Sequence, residues 1–320
     1  MSSSRTIQLI VTCTDRKTVP APKHRQIRTL KGDPTNRQSA WVGRLKQPAT
    51  TEVLPARELY AGEHWNVVTS IPDKVGRWTV KIWVASAGLG LIPIEKRIEA
   101  YGATFANGQA DSIARAADRS EASDTKLDWW SILTKRSRSI ASVARANPAS
   151  PIVFAGSPSY LRPLAEDLTK AVDLLNRPDQ LFIASAGKSS VLPDHQLDAD
   201  ARLTHSDFLG GTRLSINVRL AKWLVESAPS HKFDPQSVHA ELEAFTKNVP
   251  KLKIYNRTRV TEQQMRSFIT KEFRDARRER RNVTPHSRLL RQFRTAGFAY
   301  EQKNFRALYF EVADGMGDVQ

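Results

Sequence analysis

The fold class predicted for this chain is α/β, a mixed or parallel sheet with helices, followed by a small basic helical module. Three observations predict it. Short apolar strand patterns recur at Ile7–Thr12, Trp78–Ala85, Ile152–Ala155 and Leu181–Ala184, each ending in a small-residue turn. Helical stretches lie between them, as parallel strands require. The last part then changes character. From Lys251 to Tyr300 there are 14 Lys and Arg against 4 Asp and Glu, so this window supplies 10 of the net +16 charges of the 320-residue chain.

Taken in order, the strand Ile7–Thr12 leads into the polar turn Cys13-Thr14-Asp15-Arg16-Lys17, which is how the active edge of a parallel sheet looks. Residues 20–37 are rich in Pro, Arg and Lys without periodicity and read as a loop, with a short helix over Ser39–Leu45. A helix opens at Ala56, with Leu59 and Tyr60 on its apolar face. The strand Trp78–Ala85 ends in Ser86-Ala87-Gly88-Leu89-Gly90, where the glycines allow a sharp turn or close backbone approach. Ala106–Ala149 reads as helical and polar around Trp129 and Trp130. A helix of about 15 residues ending near Asn176 follows the third strand. Further helices are predicted over Arg213–Ser227 and Pro235–Asn248, and the domains are placed at 1–235 and 236–320.

The C-terminal module opens at Thr261, a credible N-cap for a helix from Glu262 to about Arg281. Met265, Phe268, Ile269 and Phe273 share its apolar face, while Arg274, Arg277, Arg278 and Arg281 occupy the remainder. A second helix, His286–Thr295, turns Leu289, Leu290 and Phe293 inward and alternates them with Arg288, Arg291 and Arg294. Phe305–Val312 alternates like a strand. Helix, turn, helix and strand together resemble a winged helix-turn-helix, with the second helix reading a groove. Two helices that merely close the core would give the same periodicity.

Charge and composition set the function classes. A polyanion partner explains the basic surplus, because phosphates neutralised by Lys and Arg release condensed counterions. DNA is the expected partner, and an anionic membrane is disfavoured because the basic window is not one long amphipathic face. One cysteine, Cys13, rules out an intrachain disulfide framework, and the seven histidines lack metal-binding spacings. Neither a dinucleotide fingerprint nor a P-loop is present, so no cofactor and no metal are expected. With no apolar run of membrane-spanning length and no leader, a cytoplasmic protein is the expectation.

Short motifs then suggest a family. Ser86-Ala87-Gly88-Leu89-Gly90-Leu91-Ile92-Pro93 followed by Tyr101 resembles, in order and spacing, a phrase of the YaaA-like peroxide-stress and DNA-binding protein family. Leu59-Tyr60-Ala61-Gly62 is similar to that family's Tyr-Thr/Ser-Gly segment, and Val11–Lys17 resembles openings of bacterial proteins found near genes for modified DNA bases. The likeness reaches to about Ser190 and departs at the family's tyrosine inside the glycine turn, where Leu89 or its neighbour stands. It implies DNA binding through an element like a helix-hairpin-helix. It also implies a distant similarity to bacterial defence glycosylases that remove modified bases from phage DNA.

Base excision therefore frames the candidate chemistry. A glycosylase holds an extruded base between apolar walls and stabilises charge at the sugar as the glycosidic bond breaks. Asp15, just past the first strand, is the first catalytic candidate, its alternative being an Asx turn. Glu58 is the second, with Glu63 beside it; either could instead be an ordinary surface carboxylate paired with Arg57. Arg16 and Lys17 suit a phosphate, as do Ser157, Ser185 and Lys188 after later strands. Arg57, Tyr60, Ser86, Gly88 and Tyr101 complete the substrate-binding set, with Trp129 and Trp130 either a stacking surface or core. Cys13 reads as a packing residue rather than a nucleophile. Set against excision are a non-catalytic DNA binder, a transferase acting on modified nucleosides or nucleobases, and a nuclease.

Overall fold

Strand β1 (Arg5–Thr12) is the axis of the first part of the chain. Ile7, Leu9, Ile10 and Val11 are all fully buried there, because both faces are covered and both edges are paired. β4 (Trp78–Ser86) runs parallel on one side, with Val11 opposite Val84, and β7 (Ile152–Ala155) runs parallel on the other, with Leu9 opposite Val153. β8 (Leu181–Ser185) and β9 (Gln196–Asp198) continue in the same direction. Two short antiparallel strands share the far edge of β4: β3 (Lys74–Val75) and β5 (Gly90–Pro93). β2 (Val53–Pro55) and β6 (Arg97–Glu99) form a separate antiparallel pair.

The order β3-β4-β1-β7-β8-β9 fixes where a ligand belongs. The chain leaves β1 for β4 on one side and then crosses to β7 on the other. The winding therefore reverses between β1 and β7. In open α/β sheets, the crevice beyond the carboxyl ends of strands at such a reversal is where ligands sit.

This computed structural model describes residues 5–115, 122–187, 189–250 and 256–317, so Lys188 lies outside the described residues. The helices of the first part are α1 (Pro34–Leu45), α2 (Ala56–Leu59), α3 (Glu63–Thr69), α4 (Ala122–Thr134), α5 (Ile140–Ala146), α6 (Pro158–Leu161), α7 (Ala165–Val172), α8 (Ile216–Glu226), α9 (Ala228–His231) and α10 (Pro235–Asn248). Several differ from the sequence reading for local reasons. α1 starts before Ser39 because Asp33 caps it, accepting the Asn36 N–H at 2.8 Å, with Pro34 at the first helical position. Pro163 has no N–H to donate and splits the expected helix before Asn176 into α6 and α7. Residues 106–115 are turns rather than the beginning of a helix.

The chain divides into two units, Met1–Lys251 and Leu252–Gln320. α10 belongs to the first: Val238 and Leu242 join its core, and Phe245 stacks on Phe208 at 4.2 Å. The first unit thus runs past residue 235.

The second unit has its own core, built by α11 (Glu262–Arg278), α12 (His286–Thr295) and α13 (Gln302–Gly315), with the two-residue strands β10 (Thr258–Arg259) and β11 (Phe298–Ala299) paired in parallel. Thr261 caps α11, accepting the Gln264 N–H at 3.2 Å. The expected strand over Phe305–Val312 is instead the body of α13. Phe305, Leu308, Tyr309, Val312 and Ala313 are the buried set, at the spacing of a helix face, while Ala307 is exposed. Its N-cap, Glu301, accepts the Lys303 and Asn304 N–H groups at 3.1 and 2.7 Å. A third helix therefore occupies the place of the wing.

Candidate functional site

An open cleft of about 540 Å³ lies beside the polar turn after β1, lined by Asp15, Lys17, Gln26, Arg28, Tyr101 and Asp111 among others. Four segments build it. The turn after β1 is anchored to the segment after α2 by Thr18 N–H donating to Leu59 O at 2.8 Å and Ala61 N–H to Arg16 O at 3.1 Å. The segment around Gln26 is bound to the one after β6 by Gly102 N–H to Arg25 O at 2.8 Å and Ile27 N–H to Gly102 O at 2.9 Å. The fourth is the turn carrying Asp111, whose carboxylate accepts the Arg28 N–H at 3.2 Å and faces the Arg28 guanidinium at 3.5 Å. A Cβ at Gly102 would run into that carboxylate, so glycine is what lets Asp111 close on the strand.

Lys17 crosses the floor of this cleft. Its Nζ donates to Thr14 O at 3.2 Å and Asp15 O at 3.1 Å, and lies 4.7 Å from the centre of the Tyr101 ring. Burial pulls its ammonium below the usual lysine range, against the opposing pull of Cys13, Asp15 and Asp111. The Asp15 side chain is exposed on the cleft wall. The cleft thus offers two carboxylates, an ammonium and a guanidinium around one aromatic ring.

Behind Tyr101 runs a buried hydroxyl chain. The Tyr101 hydroxyl lies 2.7 Å from that of Tyr60 and 2.6 Å from Ser86 Oγ, which in turn accepts the Gly88 and Leu89 N–H groups at 3.2 and 3.0 Å. Burial raises the pKa of both phenols, so they stay neutral. Gly88 serves this packing. A Cβ there would approach the Tyr101 ring to 2.5 Å, so the close approach that glycine permits is to a side chain of the protein itself.

The structure distributes the other sequence candidates elsewhere. Glu58 is exposed and does not line the cleft; Arg57 pairs with Glu95 at 2.7 Å and Asp73 at 3.7 Å rather than with Glu58. Glu63 holds the segment before α8, accepting from Ser215 Oγ at 2.7 Å and Thr212 Oγ1 at 2.8 Å. Arg16 is exposed, and the cleft lining does not include it. Trp129 and Trp130 are core residues whose indole N–H groups are satisfied by Ala87 O at 2.8 Å and Asp167 Oδ2 at 3.0 Å. Sequence reasoning missed Gln26, Arg28 and Asp111. They lie in segments read as loop and as helix, and only tertiary pairing across Gly102 brings them together.

Of the seven arginines expected to contact DNA, Arg277 is exposed and partnered, and the other six separate into two groups. Arg281 is held by Glu272 at 2.6 Å and Glu279 at 2.8 Å, Arg278 by Asp275 at 3.1 Å, and Arg294 donates to Tyr300 O at 3.1 Å. Arg274 on α11 and Arg288 and Arg291 on α12 are exposed, and their side chains have no ion-pair or hydrogen-bond partner among the described residues. Arg274 also lines a shallow groove with Lys271 and Arg278. Three residues apart on one helix, Arg288 and Arg291 share a face.

No family model, curated protein or solved structure matches the chain. Among the described residues, no group of three or more His, Cys, Asp or Glu side chains is arranged to hold a metal ion, and no helix is long and apolar enough to cross a membrane.

Proposed function

We propose that this chain acts on DNA in the cytoplasm, holding the phosphate backbone on the exposed arginines of α11 and α12. The observation that carries this reading is the pair Arg288 and Arg291 on one exposed face of α12, whose side chains have no partner among the described residues. Surface arginines usually find intramolecular carboxylates when these are near, as Arg281 and Arg278 do here. Two left unpaired on one short helix suit an anionic partner, and arginine serves both phosphate oxygens and guanine edges. α12 is the helix that would enter the major groove. Ala substitution of both residues is expected to lower duplex affinity, whereas unchanged affinity at modest salt would remove this reading.

For the first unit we propose base excision, by cleavage of an N-glycosidic bond in the cleft. In this reaction the oxygen of water bonds to C1′ of the sugar. Asp15 takes the proton that the water gives up, the C1′–N electron pair leaves with the base, and that proton passes through solvent to the departing base, which regenerates the carboxylate. Lys17 and Arg28 would hold the neighbouring phosphates, and Asp111 and Gln26 offer acceptor and donor groups to a base edge. Support comes from the position of the cleft at the strand ends, and from the motifs around Ser86 and Tyr60 that resemble the YaaA-like family. Incubation with duplexes carrying modified bases, followed by mass spectrometry of released base, tests it. Asp15→Asn is expected to abolish release and leave DNA binding intact, while Glu58→Gln retains both. DNA bound but never cut by the wild type would leave a non-catalytic binder.

A further inference from the structure

The second unit contains a pocket of about 680 Å³ that phosphate-backbone binding does not use. Its volume falls within the range of small-ligand sites, roughly 300–1,000 Å³. We propose that it takes one unpaired nucleotide of single-stranded DNA, its base held between aromatic side chains. The inference rests on the DNA reading above and adds the strand form that this unit prefers.

The composition of the wall argues for that occupant. Phe273, Tyr309, Phe310 and His286 line it, with Arg277 and Arg281 beside them, and among the described residues no Asp or Glu does. Arg281 is already paired with Glu272 and Glu279, so what this wall offers an occupant is ring surface rather than uncompensated charge. The rings meet at angles, His286 to Phe310 at 5.6 Å and 50° and Tyr309 to Phe310 at 5.6 Å and 84°. They therefore form walls in different planes rather than one closed stack. The Tyr309 hydroxyl donates to Thr284 O at 2.9 Å, so its proton is engaged and this residue offers chiefly ring surface.

Phe310 is the telling residue. It is 45% exposed, whereas Phe305, Leu308, Tyr309 and Val312 on the same helix are buried. An exposed ring at the edge of an aromatic-walled pocket is a surface on which sequence-tolerant single-strand binders stack bases, since every base presents a π-face. Purely electrostatic contact with duplex DNA has no need of such a ring.

The test compares full-length protein on a blunt duplex with the same duplex carrying a short oligothymidine tail. Wild-type protein is expected to bind the tailed form about ten-fold more tightly. Phe310→Ala should erase that preference while leaving blunt-duplex affinity in place, and Phe310→Tyr should restore it. A 5-iododeoxyuridine in the tail should crosslink to the Phe310 or His286 peptide, and free thymidine monophosphate should compete better than inorganic phosphate. Normal blunt-duplex binding with no tail preference, or a preference that survives Phe310→Ala, would overturn the pocket and leave the DNA reading standing. Failure to bind either DNA would overturn both.

Discussion

Cys13 Sγ and the Tyr160 hydroxyl lie 3.3 Å apart, both residues buried, and join the end of β1 to α6 across the reversal of the sheet. The thiol is thus a packing and positioning group inside the wall behind the cleft, with a phenol as its neighbour. Cys13→Ala is expected to lower stability by about 1 kcal/mol in urea unfolding. Base release and DNA affinity should persist. Loss of release with stability intact would make the thiol a reacting group instead.

The hydroxyl chain predicts a larger effect. Tyr101→Phe removes the group that meets both Tyr60 and Ser86, leaving the buried Tyr60 hydroxyl without that partner. A cost of about 1–3 kcal/mol follows, read as a lower urea midpoint. Gly88→Ala attacks the same point from the backbone side. Its Cβ would meet the Tyr101 ring at 2.5 Å, so a destabilisation of about 1–3 kcal/mol is expected there too.

The second unit carries a titratable tie. The Glu272 carboxylate accepts from Arg281 and from the Thr284 N–H at 3.0 Å. Hydrogen bonds from Arg281 hold its pKa at about 2, below the ordinary 4.5, despite the opposing effect of burial. Because the folded value is depressed, the stabilisation is complete above pH 4.5 and is lost as pH falls towards 2. The Thr284 amide resonance should report this titration with a midpoint near 2 in the wild type, and lose it in Glu272→Gln. A wild-type midpoint near 4.5 would contradict the tie.

Helix α13 can be separated from the strand alternative by substitution. A strand with Phe305, Ala307 and Tyr309 on one face would bury all three, whereas the helix exposes Ala307. Ala307→Asp is therefore expected to shift stability by less than about 0.5 kcal/mol, and Phe305→Ala to cost about 3–5 kcal/mol, in thermal or urea unfolding.

The sheet was legible in the sequence because parallel central strands are covered on both faces and read as continuous apolar runs, as Ile7–Thr12 and Ile152–Ala155 do. The helices α11 and α12 were equally legible, through the Thr261 cap and the spacing of Met265, Ile269 and Phe273. Phe305–Val312 misled because a short stretch with buried positions at i, i+3, i+4 and i+7 also satisfies a loose alternation. Of the cleft, only Asp15, Lys17 and Tyr101 were visible from the sequence. Asp111 and Arg28 meet through contacts between segments far apart in the chain, and no local pattern encodes such a meeting. That the Arg288 and Arg291 side chains have no partner among the described residues was likewise not readable, since Arg278 and Arg281 carry the same charge in similar surroundings and are paired.

Salt-dependent duplex binding of the Arg288→Ala, Arg291→Ala double variant against wild type is the most direct measurement. If both residues touch phosphates, affinity falls and the slope of log affinity against log salt flattens by roughly 0.9 for each lost contact. Identical affinity and identical slope in the two proteins would contradict the assignment of α12 to the DNA backbone.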